Sequence, residues 1–194
     1  MKTVLMLYAT REGQTRTIAG YLAAILRTRG LAVTLMDAAD LPEDFQLANY
    51  SLAVLAASVH GQHHEKEIVD FVKRHRAVLE AMPSAFLSVS LSEAGAEDDQ
   101  ASPQLRHAAA ADVRNLIDAF LVETAWHPTK IRAVAGALMY TKYNFLVRLV
   151  MKRIAKQAGE STDVSRDHVF TDWAALDLFA DELAAALPHG AVRY

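Results

Sequence analysis

Almost wholly apolar runs of strand length alternate along this chain with segments whose apolar positions recur every three or four residues. Residues 3–8 (Thr-Val-Leu-Met-Leu-Tyr) and 52–57 (Leu-Ala-Val-Leu-Ala-Ala) read as strands covered on both faces. Residues 32–37, 84–89 and 130–137 read as three more strands. Between them, Ile18, Leu22, Ile25 and Leu26 keep helical spacing and Gly30 follows as a stop. Ile68, Phe71, Val72 and Leu79 mark a second helix. Ser102-Pro103 supplies a hydroxyl cap and a proline at the first helical position, and that helix runs to about Glu123. Trp173, Leu176, Ala180, Leu183 and Leu187 outline a closing helix capped by Thr171 or Asp172. Pro42, Asp44 and Asn49 make the second crossover loop-like. Buried strands alternating with helices imply an α/β fold with a parallel sheet wrapped on both faces. Residues 138–168, between the fifth strand and the last helix, exceed the few residues of an ordinary connection and form an insertion within a single 1–194 domain.

A chain of 194 residues without cysteine has no disulfide, thiolate metal site or cysteine nucleophile. It suits a reducing cytoplasm, and neither a leader layout nor a membrane-spanning apolar run is expected. The net charge of −3 argues against nucleic-acid binding. That average hides Lys142, Arg148, Lys152, Arg153 and Lys156, five cations between Leu138 and Gly159 with no acid among them, which leaves −8 on the rest. Arg148, Lys152 and Lys156 would form one stripe of a helix, with Leu146, Leu149, Val150 and Ile154 opposite and Tyr140, Tyr143 and Phe145 before them. Arg153 falls on the apolar side. This pattern fits peripheral contact of 140–156 with an anionic membrane on the inner face of the cell membrane, packing on the chain's own domain, or a contact in a homo-oligomer.

Parallel sheets bind ligands beyond the carboxyl ends of their strands. The loop after the first strand is Thr10-Arg11-Glu12-Gly13-Gln14-Thr15. Thr10 and Thr15 bring hydroxyls, Arg11 a positive charge, and Gly13 a tight turn. A helix N-terminus follows, so the loop suits a phosphate, although the same residues also make an ordinary helix start. Neither G-x-x-x-x-G-K-[ST] nor G-x-G-x-x-G occurs. Tyr8, Ala9 and Thr10 stand where a phospho-acceptor receiver domain would need acids. His60, His63 and His64 lack the spacing and supporting carboxylates of a metal site, so no metal is expected. His63, His64 and His75 read as solvated histidines.

The first loop resembles the T-x-T-G-x-T phosphate loop of flavodoxins. The ordered blocks Thr10–Thr15, Ala57–Gly61, Met82–Phe86, Val134–Leu138, Met151–Ile154 and Phe170-Thr171-Asp172-Trp173 resemble the flavodoxin-type, quinone-dependent protoporphyrinogen IX dehydrogenase family, as does a long insertion after the fifth strand. The resemblance implies a flavodoxin-like doubly wound sheet of order 2-1-3-4-5 and FMN as cofactor. It also implies oxidation of a porphyrinogen, with a membrane quinone as acceptor. FMN would then meet Thr10, Arg11, Glu12, Gly13, Gln14 and Thr15 on the first loop and Ser58, Val59, His60 and Gly61 on the second. On the third it would meet Ser88, Val89, Ser90, Leu91 and Gly95. Departures are plain. Glu12 replaces a hydroxyl residue, His60 stands where a large aromatic often stacks, the 88–99 loop has no aromatic, and residues 93–99 are acidic. A flavodoxin-like electron carrier and an FMN-dependent NAD(P)H:quinone reductase are the alternatives that the residues leave open.

Overall fold

The computed structural model describes residues 3–138 and 167–187. Strand β1 (Thr3–Ala9) lies between β2 (Ala32–Asp37), parallel to it at the sheet edge, and β3 (Leu52–His60), the central strand. Beyond β3, the two-residue β4 (His63–His64) folds back on the end of that strand. Strands β5 (Ser84–Ser90) and β6 (Lys130–Ala135) continue the parallel array, giving the order β2-β1-β3-β5-β6. Counting only the five long strands, this is the expected 2-1-3-4-5.

The period-two alternation of the strands divides the core into two layers. Val4, Met6 and Tyr8 point to one face, where they join Val54, Ala56, Ala85, Leu87 and Val89. Helix α1 (Gln14–Thr28) covers that face with Ile18, Leu22 and Leu26, and α5 (Trp173–Ala186) with Leu176, Phe179 and Leu183. Leu5, Leu7, Leu55 and Phe86 point to the other face. There α2 (Lys66–Glu80) brings Ile68, Phe71, Val72 and Leu79, and α4 (Pro103–Thr124) brings Phe120, with Trp126 just beyond it. The crossover after β2 holds only a three-residue turn of 3₁₀ helix, Leu47–Asn49, as Pro42, Asp44 and Asn49 foretold.

Caps behave as their chemistry requires. Leu105 N–H donates to Ser102 Oγ at the start of α4, and Ala175 N–H donates to Asp172 Oδ1 at the start of α5, so Asp172 rather than Thr171 is the cap. Three boundaries differ from the sequence reading. The third strand runs on to His60 instead of stopping at Ala57. The stretch after β5 is a short helix, α3 (Leu91–Glu97), capped by Ser90 Oγ. The fifth long strand stops at Ala135, because Gly136 donates its N–H to Ser90 O and turns the chain out of the sheet. Residues 137–138 then form β7 (Ala137–Leu138), paired antiparallel with β8 (His168–Val169). The basic stripe expected at 140–156 lies outside the described residues. Among the described residues, no helix is long and apolar enough to cross a membrane.

Candidate functional site

The carboxyl ends of β1, β3, β5 and β6 open onto one cleft with room of about 270 Å³, near the lower end for small-molecule sites. The first loop forms one end. Gly13 has φ 99°, a conformation that a side chain resists, and its N–H donates to Thr10 Oγ1 at 3.0 Å. No side chain caps α1 and no acid occupies its first turn. Helix geometry leaves the N–H groups of Gln14, Thr15 and Arg16 without carbonyls ahead of them. Among the described residues the Thr15 hydroxyl has no hydrogen-bond partner, although Thr15 is 0% exposed. A buried, unsatisfied hydroxyl costs roughly 1–3 kcal/mol unless something binds it. Thr15 lines the cleft, so an anionic group seated there would satisfy it together with the free amides. The first loop therefore fits the phosphate of FMN.

Gln14 is held differently. Its Nε2 donates to Thr171 Oγ1 at 2.9 Å, and that hydroxyl donates onward to Ala135 O at 2.8 Å. Arg11 turns from the cleft: its Nε donates to Glu65 Oε2 at 3.2 Å, and it lines a separate polar hollow with Asp37, Lys66 and Glu67.

The second loop is a hairpin. Gly61 and Gln62 both have positive φ, 55° and 70°, the two-residue turn whose twist suits a tight strand pair. The turn sets His60 opposite His63 and Val59 opposite His64. Ser58, Val59, His60, Gly61 and Gln62 all line the cleft. His60 stands between two carboxylates. Its Nε2 is 3.5 Å from Glu12 Oε1, and its Nδ1 lies 2.8 Å from Glu65 Oε1, off the line of a hydrogen bond. Glu12 raises the His60 pKa above its ordinary value, burial opposes the rise, and the negative charge of Glu65 adds to it. Glu65 is 5% exposed and also accepts from Ser58 Oγ at 3.1 Å.

His64 is not the solvated residue that its polar neighbours suggest. It is 7% exposed and shares a 2.8 Å hydrogen bond with Ser88 Oγ. Its ring packs against Phe86 at 5.1 Å and Phe120 at 5.0 Å. Burial pushes its pKa down to about 4. His75 is half-buried and packs on Phe71, whereas His63 is exposed as expected.

The third side of the cleft is Val89, Ser90, Leu91 and Ser92. Ser88 lies beneath it on His64, and Gly95 is buried inside α3, away from the lining. Glu12 does line the cleft, held toward His60. Sequence reasoning missed Leu116, Gly136 and Ala137, which complete the wall. Gly136 carried the one available signal, a glycine at the end of a strand run. Among the described residues, no group of His, Cys, Asp and Glu could hold a metal ion.

Comparison with known proteins agrees with this geometry. The flavodoxin domain model matches residues 5–165. The protoporphyrinogen IX dehydrogenase (quinone) of Escherichia coli strain K12 is 36% identical over 184 residues, 95% of each chain. A protein of the same name from Leishmania major is 34% identical over 183 residues, 93% of this chain and 74% of that one. Oxidised flavodoxin 1 from Bacillus cereus superposes with a TM-score of 0.54 at 17% identity, covering 96% of this chain and 99% of that one, which speaks for the fold alone. With these matches added to a doubly wound sheet and its phosphate-ready first loop, the chain belongs to the flavodoxin domain family, alongside the relatives named protoporphyrinogen IX dehydrogenase (quinone).

Proposed function

We propose that this chain is an FMN-dependent oxidoreductase that converts protoporphyrinogen IX to protoporphyrin IX, a step of haem synthesis, and passes the electrons to a quinone. One observation carries the substrate: likeness at 36% identity, over 95% of both chains, to proteins of that name. The cofactor is supported by the flavodoxin domain match and by the unpartnered, buried Thr15 hydroxyl at the uncapped start of α1. Bound FMN supplies the two-electron chemistry, which no side chain of the cleft offers.

The chain's own residues bind, orient and exclude water. Thr10, Thr15 and the first amides of α1 hold the phosphate, with Gly13 keeping the turn close. Ser58–Gly61 and Val89–Leu91 flank the ring with backbone groups that tune it. Val59, Val89, Leu91, Leu116 and Ala137 give the cleft apolar walls against which a flat macrocycle can lie. The whole chain acts as one domain with 138–168 inserted, and residues 140–156 touch an anionic membrane face. Each of the five cations there adds at most ~1 kcal/mol near such a leaflet, enough for reversible docking beside a lipid-soluble quinone.

The test is direct. The purified protein loaded with FMN is offered protoporphyrinogen IX with a quinone, then NAD(P)H with a quinone, under anaerobic conditions. Porphyrin fluorescence growing above the autoxidation control is the expected result. Rapid NAD(P)H loss without porphyrin would make the chain a quinone reductase, and neither reaction, with a stable semiquinone, would make it an electron carrier.

A further inference from the structure

Dehydrogenation of a porphyrinogen releases protons as well as electrons, and the cleft holds one side chain built to receive them. His60 lines the cleft with 28% of its side chain exposed. Its two nitrogens have different surroundings. Nδ1 is buried against Glu65 Oε1 at 2.8 Å, and Glu65 is itself held by Ser58 Oγ and Arg11 Nε. Nε2 stands toward Glu12, 3.5 Å away, on the side chain that lines the cleft. An imidazole with one edge in close ionic contact with a fixed carboxylate, off the line of a hydrogen bond, and the other facing a site is placed to act as a general base.

We propose that His60 is the proton acceptor of the cleft, positioned by Glu65 and tuned by Glu12, and that it takes the proton a porphyrinogen loses as its hydride departs. The inference rests on the reading of function given above. In each two-electron step a C–H bond of the macrocycle breaks and its electron pair leaves with the hydride to oxidised FMN. In two of the three steps an N–H bond also breaks, and in the third the remaining meso C–H bond; each time the bonding pair joins the new double-bond system and the proton goes to His60 Nε2, so that four C–H and two N–H hydrogens leave in all. The quinone then takes the hydride equivalent and the proton to become the hydroquinone, so atoms and electrons balance with nothing further supplied.

The groups that set His60's proton affinity are Glu12 and Arg11 on the first loop and Glu65 at the head of α2, while His63 is the titratable residue paired with it across the hairpin. Glu12 makes the largest contribution and raises it, so removing that carboxylate's charge lowers the pH at which His60 becomes a base. A leucine or serine at position 60 would leave the cleft without an imidazole, with Glu12 as the titratable side chain on its lining and Glu65 enclosed.

The experiment uses the full chain loaded with FMN and its His60→Gln and Glu12→Gln variants. FMN dissociation constants and circular dichroism come first. Proton NMR then follows the His60 ring resonance, assigned by its loss in His60→Gln, and anaerobic stopped-flow follows flavin bleaching by protoporphyrinogen IX across the neutral pH range. In the parent, the bleaching rate should rise with pH along the NMR titration of His60. His60→Gln should be slower by about 100-fold or more and lack that rise. In Glu12→Gln, the NMR titration and the rate profile should move together to lower pH.

A His60→Gln protein that bleaches at the parent's rate with the parent's profile overturns the proposal and leaves the reading of function intact. A parent that binds FMN but is inert toward the porphyrinogen overturns both. Should His60→Gln fail to load FMN, Glu12→Gln decides: a rate profile that stays put while the NMR titration moves overturns the proposal.

Discussion

A fall in pH should loosen this fold through His64. The ring is enclosed by Phe86 and Phe120, tied to Ser88 Oγ at 2.8 Å, and only 7% exposed. In the unfolded chain it takes a proton near its ordinary value of 6.5, whereas in the fold burial delays protonation to about 4. Between those values the unfolded state binds more protons. The contribution of neutral His64 is therefore fully present above 6.5 and is lost as pH falls toward 4. The loss works out at ~2 kcal/mol between about pH 7 and pH 5, and ~3 kcal/mol by about pH 4. Against a total of roughly 5–15 kcal/mol for an ordinary domain, that is large. The comparison is with His64→Gln, whose amide can keep a hydrogen bond to Ser88 without titrating. Urea unfolding midpoints of both proteins are measured down the same pH series. Carboxylates, His60 and His75 titrate in both, so the difference isolates position 64. The parent should lose ~2 kcal/mol more than the variant on going to about pH 5. Parallel pH dependence in the two proteins would refute the buried, neutral assignment.

Thr15→Val should weaken FMN binding by about 10-fold in fluorescence titration while leaving thermal stability of the apoprotein unchanged or slightly higher, because the hydroxyl it removes has no partner in the fold. Gly13→Ala places a side chain at φ 99° and should cost ~1–2 kcal/mol in urea unfolding as well as weakening FMN, in contrast to Thr15→Val. Arg148→Glu combined with Lys152→Glu should reduce co-sedimentation with anionic liposomes and restore it little at low salt; pelleting equal to the parent's would remove the proposed membrane role.

Much of this architecture could be read from the chain because its elements announce themselves locally. The strands carry unbroken apolar runs that need cover on two faces, and Ser102-Pro103 and Asp172 cap helices with their own side chains. The features that make the first loop a candidate anion site were legible for the same reason: its glycine, its hydroxyls and its helix start are neighbours in sequence. What escaped depends on partners distant along the chain. His64 sits in the polar run His-His-Glu and reads as solvated, yet Phe86 from β5 and Phe120 from α4 enclose it. Nothing in Arg11 says that Glu65 will draw it from the cleft. Helix α3, seven residues long, is too short to show a period, and Glu93 and Glu97 disguise it as an exposed acidic loop. Burial, aided for Glu93 by the charge of Glu97 and for Glu97 by that of Asp172, raises both carboxyls above their ordinary range. Leu116 lies on a helix far from the strand ends and reaches the cleft only through tertiary packing.

The pairing of Leu138 with His168 brings the two ends of the intervening segment side by side at the rim of the sheet. A segment anchored on adjacent points puts little demand on the scaffold beneath, since closing a longer or shorter loop between them changes the entropy only slowly with length. This rim is thus a modular socket. Swapping or truncating the stretch from 139 to 166 should therefore leave the strands and their helices in shape.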